Sequence, residues 1–342
     1  MRENTSNKVD RIIESETLHQ EESKGFYIYK AIAILCVIAA HVSVIIENLG
    51  IWTFICSTFW AMMARIGVVI FFTTSGFFFS RTKGDSLNFW KKKFFNIIIP
   101  WLICATATFL LVVLTGDKSN IAVRYIQWIF GFSSWFYYIV VLLILFLIFP
   151  LIEKSESCLY ICFILNIISI FLETWKINPI SNICFLSPWL NIFNWIGYFA
   201  LGILCRKHRL DRWILKSKIA LSLTIVLTIF AIVLFFLLKN ENEFHFITLF
   251  YKLPLMAMLF YVSSWLAKGK MNFMVVVGKD TYFIYLVHMQ IVQFICSRLP
   301  IIFEIVKPLV GLLIMCIIAL TVKVFFKKIL KWEAPLKLIG LK

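Results

Sequence analysis

The residues with the widest chemical range in this chain are basic side chains set inside long apolar runs. In the stretch FYIYKAIAILCVIAAHVSV, Lys30 and His41 lie eleven positions apart. On a helix that spacing overshoots three full turns by about 20°, so both project from one face, separated by about 16 Å along the axis. The run ARIGVVIFFTTSGFFFSR carries Arg65, and GKDTYFIYLVHMQIV carries His288. An ionisable group within an apolar run is costly and as a rule faces the interior of a bundle. A neutral imidazole there titrates near neutrality and can accept or relay a proton. A buried guanidinium holds an anion, a carbonyl cluster or a substrate oxygen.

Each of these residues also has a plainer reading. Lys30 can snorkel to an interface, His41 can be a core histidine bonded to a neighbouring helix, and Arg65 can anchor one helix to another. Thr73, Thr74, Ser75 and Gly76 follow Arg65 on the same run, where small residues permit close helix approach. Ser75 as a nucleophile needs a base beside it. Tyr282, Tyr285 and His288 recur at i, i+3 and so can line one stripe, either an internal polar track or an aromatic belt with a satisfied imidazole. Two further polar clusters are Ser133, Ser134, Trp135, Tyr137 and Tyr138, and Asn191, Asn194, Tyr198 and Gly202. Trp and Tyr at the end of an apolar run usually mark a membrane interface.

The elements that must position these groups follow from composition. Of 342 residues 61% are hydrophobic, 17% aromatic and only 15% charged, more apolar material than a soluble domain can hide in one core. The expected fold is an all-α integral membrane protein, a bundle of about ten transmembrane helices. Apolar runs place them near 26–46, 57–80, 95–115, 134–152, 157–173, 189–205, 218–238, 246–266, 280–297 and 301–325. Asn178, Pro179, Ser187 and Pro188 interrupt the pattern around the fifth and sixth.

The net charge of +16, from 34 Lys and Arg against 18 acids, sits in the short connections. No segment offers the extended polar basic face that nucleic acid requires, so the charge reads as topology and contact with anionic lipid. One side collects Arg81, Lys83, Lys91, Lys92 and Lys93, then Arg206, Lys207, Arg209, Arg212 and Lys216. It continues with Lys268, Lys270 and Lys279, and with Lys323, Lys327, Lys328 and Lys331. The other side receives Lys118, Arg124, Lys176, Lys239, Lys252, Arg298 and Lys307. Both termini are therefore expected in the cytoplasm.

Residues 1–25 are polar and mixed in charge, and no basic stub leads into a short apolar core, so a cleaved signal peptide is not expected. The layout is a polar cytoplasmic N-terminal tail over 1–25, one polytopic membrane domain over 26–325 and a basic cytoplasmic C-terminal tail over 326–342. There is no internal repeat. The nine Cys lie mostly in apolar runs without ligand spacing, so neither a metal site nor a disulfide framework is expected.

Taken in order, these segments resemble the membrane acyltransferase-3 family, bacterial proteins that commonly O-acetylate cell-surface or secreted glycans. The resemblance rests on Lys30 and His41 in the first helix, and on Arg65, Phe71, Phe72, Ser75 and Gly76 in the second. It continues with Pro100 after Lys91, Lys92 and Lys93, Trp135 and Phe136 opening the fourth, Tyr198, Phe199 and Gly202 closing a later helix, and Thr281, Tyr285 and His288. The chain departs from the common pattern in carrying Tyr27, where an aspartate often precedes the first-helix basic residue.

The resemblance implies an acyltransferase of the bacterial cell membrane that holds no bound cofactor and takes cytoplasmic acyl-coenzyme A, most often acetyl, as donor. The implied acceptor is a hydroxyl of a glycan or lipid-linked glycan. Acyl transfer to an alcohol needs a base and groups that stabilise an oxyanion. His41 is the candidate base, Arg65 the group for the acceptor or the developing charge, and His288 with Tyr285 the completion of the acceptor side. Lys30, Lys92 and Lys93 are candidates for the donor's phosphates, and Ser75 and Trp135 for substrate contact. An exporter of a polysaccharide or a small polar solute such as an amino acid is the alternative, since buried His, Arg and Lys serve proton relays equally well.

Overall fold

The computed structural model describes residues 3–42, 50–79, 86–115, 119–183, 187–238, 243–296, 298–299 and 305–341. Every regular element among them is helical. In chain order the first eight are α1 (Glu3–Val42), α2 (Ile51–Ala64), α3 (Gly67–Phe77), α4 (Ser86–Lys93), α5 (Ile99–Thr115), α6 (Ile121–Ile129), α7 (Tyr137–Ile152) and α8 (Glu156–Thr174). They continue as α9 (Pro179–Ile183), α10 (Ile196–Lys207), α11 (Leu210–Lys216), α12 (Lys218–Leu238), α13 (Thr248–Ala267), α14 (Asn272–Cys296), α15 (Lys307–Val324) and α16 (Ala334–Leu338).

Among the described residues seven spans are long and apolar enough to cross a membrane: Ser23–Val42, Ile51–Phe77, Leu87–Leu114, Glu156–Thr174, Lys218–Leu238, Thr248–Ala267 and Lys307–Ile329. Helix α7 is apolar but shorter. Helix α14 has the length but carries Lys279 and Asp280, and α10 is 12 residues long, about 18 Å. The chain is a multi-pass membrane protein. The expected span ends at 46, 80 and 297 and the start at 301 lie outside the described residues, as do Arg81, Lys83, Lys118 and Lys239.

The apolar part of α1 is the axis of the bundle. Ile28, Ala31, Ala33, Ile34, Cys36 and Ile38 are fully buried, because α1 packs on α14, α13, α2, α3 and α15 at once. Two crossings depend on missing side chains. A Cβ on Gly278 of α14 would overlap the Tyr27 carbonyl of α1, and Cβ atoms on Gly76 and Gly202 would overlap the Phe199 and Thr73 carbonyls where α3 meets α10. Close backbone approach replaces the hydrophobic drive that lipid cannot supply.

Three expected spans are not continuous helices. The run 57–80 breaks at Arg65 and Ile66, which close short backbone bonds to Met62 and Met63 before α3 begins. The cause is Gly67, whose absent Cβ lets α3 press on Ala33 and Val37 of α1. The run 95–115 enters through a π-helical turn, Phe94–Ile98. Pro100 has no N–H and its ring would strike the carbonyl four residues back, and the wider turn relieves both; Tyr282 Oη donates to the Ile97 carbonyl at 2.7 Å. The run 189–205 starts as turns and a short 3-10 segment, Ile192–Asn194, before α10 begins. Irregular backbone survives in a membrane where protein buries it, and Asn191 and Asn194 are 0% and 1% exposed. Both donate to Glu173 Oε1, at 3.3 and 3.2 Å, and Ser181 Oγ donates to the same oxygen at 2.5 Å.

Alternate connections meet at one end of the bundle. The Phe26 ring of α1 packs tilted or edge-on against Phe77, Phe78 and Phe260 there, Arg206 donates to the Phe79 carbonyl, and Lys323 pairs with Asp280 at 2.5 Å. This is the basic end. His41, Glu173 and the start of α13 lie toward the far end.

Candidate functional site

A cavity of about 930 Å³ opens at the basic end, near the upper limit of the roughly 300–1,000 Å³ typical of small-molecule sites. Its charged lining is Lys30, Lys92, Lys93, Lys327 and Lys337 with one acid among the described residues, Glu333. Aromatic faces lie beside some of the basic groups here. Lys93 Nζ lies 4.0 Å from the Phe146 ring centre, and Lys30 and Lys279 lie 5.1 and 5.6 Å from that of Tyr27. A ring face attracts a cation without neutralising it, and in the described lining five lysines face one glutamate. A second hollow of about 570 Å³ shares Lys30 and Phe78 with the first and adds Arg206, Arg209 and Arg212.

The inner end of the cavity is hydroxylated. Thr74, Ser75, Tyr138 and Tyr285 line it, and Ser75 Oγ stands 3.4 Å from Tyr138 Oη. The Tyr138 and Tyr285 rings are 5.3 Å apart, edge to face. Tyr285 Oη donates to the Trp135 carbonyl, which ties α14 to the segment that opens α7. One helical turn farther, His288 is fully buried. Its Nδ1 lies 2.7 Å from the Tyr285 carbonyl oxygen.

That contact fixes the tautomer. A carbonyl only accepts, so Nδ1 carries the hydrogen and Nε2 carries the lone pair. Nε2 has no hydrogen-bond partner among the described residues. The ring centre of His41 is 5.1 Å from that of His288, and that of Trp135 is 6.1 Å from it. The Trp135 indole N–H is likewise buried without an acceptor among the described residues. His288 is sealed within the protein whereas His41, in the last described turn of α1, is partly exposed.

Arg65 lies in a different cluster. Its Nη1 is 3.9 Å from Glu243 Oε2, and Lys252 Nζ is 2.6 Å from Glu243 Oε1. Lys252 also donates to the Glu243 backbone carbonyl at 2.9 Å. The break between α2 and α3 lets Arg65 join this group, which binds the chain before α13 to the kink. Among the sequence candidates, Lys30, Lys92, Lys93, Ser75 and Tyr285 line the cavity; His41 and Trp135 lie against His288, one turn of α14 beyond Tyr285 and outside the lining, while Arg65 belongs to the ion cluster.

Lys252 is corrected from a connection to a helix interior: it is 2% exposed within α13. The signal was present, since the expected span 246–266 already contained it. Glu243 carried no such signal, because it precedes the span.

A family model described as an acyltransferase domain, that of the acyltransferase-3 family, matches residues 26–328, nearly the whole chain. No curated protein and no solved structure matches it.

Proposed function

The chain belongs to the acyltransferase-3 family and is a membrane acyltransferase, and on that premise we propose that it moves an acetyl or similar acyl group from coenzyme A to a hydroxyl of a glycan or lipid-linked glycan. The observation that carries this reading is the cavity that runs from a lysine-lined mouth to the hydroxyls of Ser75, Tyr138 and Tyr285, one turn of α14 short of the His41–His288 pair. Phosphates are held at the mouth by Lys30, Lys92 and Lys93. The pantetheine arm runs inward beside α1, over the rise of about 16 Å that separates Lys30 from His41.

The chemistry then follows from the two imidazoles. In the reacting complex the unpartnered His288 Nε2 would accept from a ring N–H of His41, whose ring lies 5.1 Å away, and leave the other His41 nitrogen unprotonated. That nitrogen takes the acceptor's hydroxyl proton as the oxygen attacks the thioester carbonyl carbon. The C–S bond breaks, and the coenzyme A thiolate receives the proton from His41. The Trp135 N–H and the Ser75 and Tyr138 hydroxyls are the donors nearest the developing oxyanion. The acceptor approaches His41 from the far end, where the ring is accessible.

Orientation and count belong to the same proposal. The basic end is cytoplasmic, by the excess of Lys and Arg there, which puts both termini inside. About ten crossings result when α7, α14 and α10 with its buried entry segment join the seven long spans. The membrane is the bacterial cytoplasmic membrane, with anionic lipid against the basic end. The interrupted stretch before α10, which in an exporter would be a moving element, is tied down by Glu173.

The test is label transfer. Purified protein in vesicles is given acetyl-labelled coenzyme A, and donor consumption is compared between wild type and His41→Ala. Turnover lost in the variant with unchanged thermal stability is expected. No donor consumption by folded wild type under any acceptor condition would overturn the reading.

A further inference from the structure

We propose that the segment Glu333–Leu341, beyond the residues matched by the family model, is a wall of the donor cavity, and that Lys337 on it grips a phosphate of the acyl-coenzyme A donor. The family match ends at residue 328, and the sequence alone reads residues 326–342 as a basic cytoplasmic tail. The structure folds this stretch back. Lys331 adopts a left-handed backbone, φ 49°, and Trp332 N donates to the Phe326 carbonyl at 2.9 Å. The chain thereby reverses into α16.

Two leucines fasten the segment to the bundle. Leu336 and Leu341 are 3% and 2% exposed and pack with Phe283 of α14 and Ala319 of α15. Gly340, with φ +82°, lies so close to Tyr282 that a Cβ would come within 2.8 Å of the ring. Tyr282 is the residue that bonds the π-helical turn before Pro100. The segment is thus docked on the same elements that shape the cavity, and Leu336, Lys337, Gly340 and Leu341 line it directly.

What this wall adds is charge at the mouth. Lys337 is exposed and stands with Lys92 and Lys93 around one opening. Lys327 is partly engaged by Glu333 at 3.5 Å. A cavity with five lysines and one glutamate suits a polyanionic head attached to a narrow neutral arm. The inference rests on the acyl-coenzyme A reading and extends it to a part of the donor site that the family pattern does not contain.

The experiment is steady-state acetyl transfer by the full chain in vesicles, varying acetyl-coenzyme A and acceptor separately. Lys337→Glu is expected to raise the donor KM about tenfold with kcat and the acceptor KM nearly unchanged, and Lys337→Arg to restore the donor KM. Gly340→Val, which pushes the wall away from Tyr282, raises the donor KM as well. Lys328→Glu makes the same charge change one residue outside the lining and leaves the donor KM unaltered. A donor KM for Lys337→Glu within twofold of wild type, in a protein of unchanged thermal stability, overturns the proposal and leaves the acyl-coenzyme A reading standing. Wild type that consumes no acyl-coenzyme A overturns both.

Discussion

Glu243→Gln removes the anion that faces both Arg65 and Lys252. At the observed separations of 2.6 and 3.9 Å, Coulomb attraction is about 6 and 4 kcal/mol for an effective dielectric of about 20. Most of that offsets the cost of dehydrating the three groups, so the expected loss is the roughly 3–5 kcal/mol of a buried pair broken on one side. The high end applies, because the variant leaves two cations facing each other. Lys252→Met leaves Arg65 with Glu243 and costs about 2 kcal/mol, the worth of hydrogen bonds to a charged group. In the Glu243→Gln background the same Lys252→Met change relieves repulsion and is neutral or stabilising. Unfolding titrated with SDS in mixed micelles reads all four proteins. Additive effects, within about 0.5 kcal/mol, or a Glu243→Gln loss under about 1 kcal/mol, would refute the assignment of this cluster as one electrostatic unit.

Three other substitutions examine the frame around the site. Gly76→Leu drives a side chain into the Phe199 carbonyl and is expected to separate α3 from α10, with loss of folded protein on size-exclusion chromatography. Glu173→Ala removes the acceptor shared by Asn191, Asn194 and Ser181 and leaves the two amides with Ser169 Oγ and the Pro188 carbonyl alone, and a cost of about 1–3 kcal/mol is expected in the same micelle titration. Tyr282→Phe frees the Ile97 carbonyl and costs about 1 kcal/mol, with a raised donor KM because the π-helical turn borders the cavity.

Membrane segments were legible in the sequence because a helix in lipid must be apolar along its whole length, which leaves a direct trace in composition. The shared face of Lys30 and His41 was legible for a similar reason, since 3.6-residue periodicity is local. What sets His41 beside His288 is different: α14 lies along α1 because Gly278 meets the Tyr27 carbonyl, and a single glycine among many has no distinguishing mark. Arg65 was legible as a deep charge but not its partner. The break at Ile66 turned it toward Glu243, and that break comes from a packing contact of Gly67 rather than from a helix breaker such as proline.

The docking of the segment after Val324 was not legible in the sequence. Its charge is dense, and the two leucines that dock it are too few to make a pattern. Lys252 shows how a positive residue near a span end can be counted with a connection while its ammonium is buried. Charge counting sorts ends of the bundle and carries no information on depth, which depends on a neighbouring carboxylate such as Glu243.

The proposed chemistry requires His41 and His288 to act as one unit in acyl transfer from coenzyme A. Single-turnover transfer of the acetyl label reads that coupling in wild type, His41→Ala, His288→Ala and the double variant, all in vesicles and all of matched thermal stability. Each single variant is expected to lose about 10²–10⁴-fold in rate, with the double variant no slower than the worse of the two, because removing either imidazole disables the relay. Independent, multiplicative losses in the double variant, or full transfer by either single variant, would contradict the pairing of the two imidazoles.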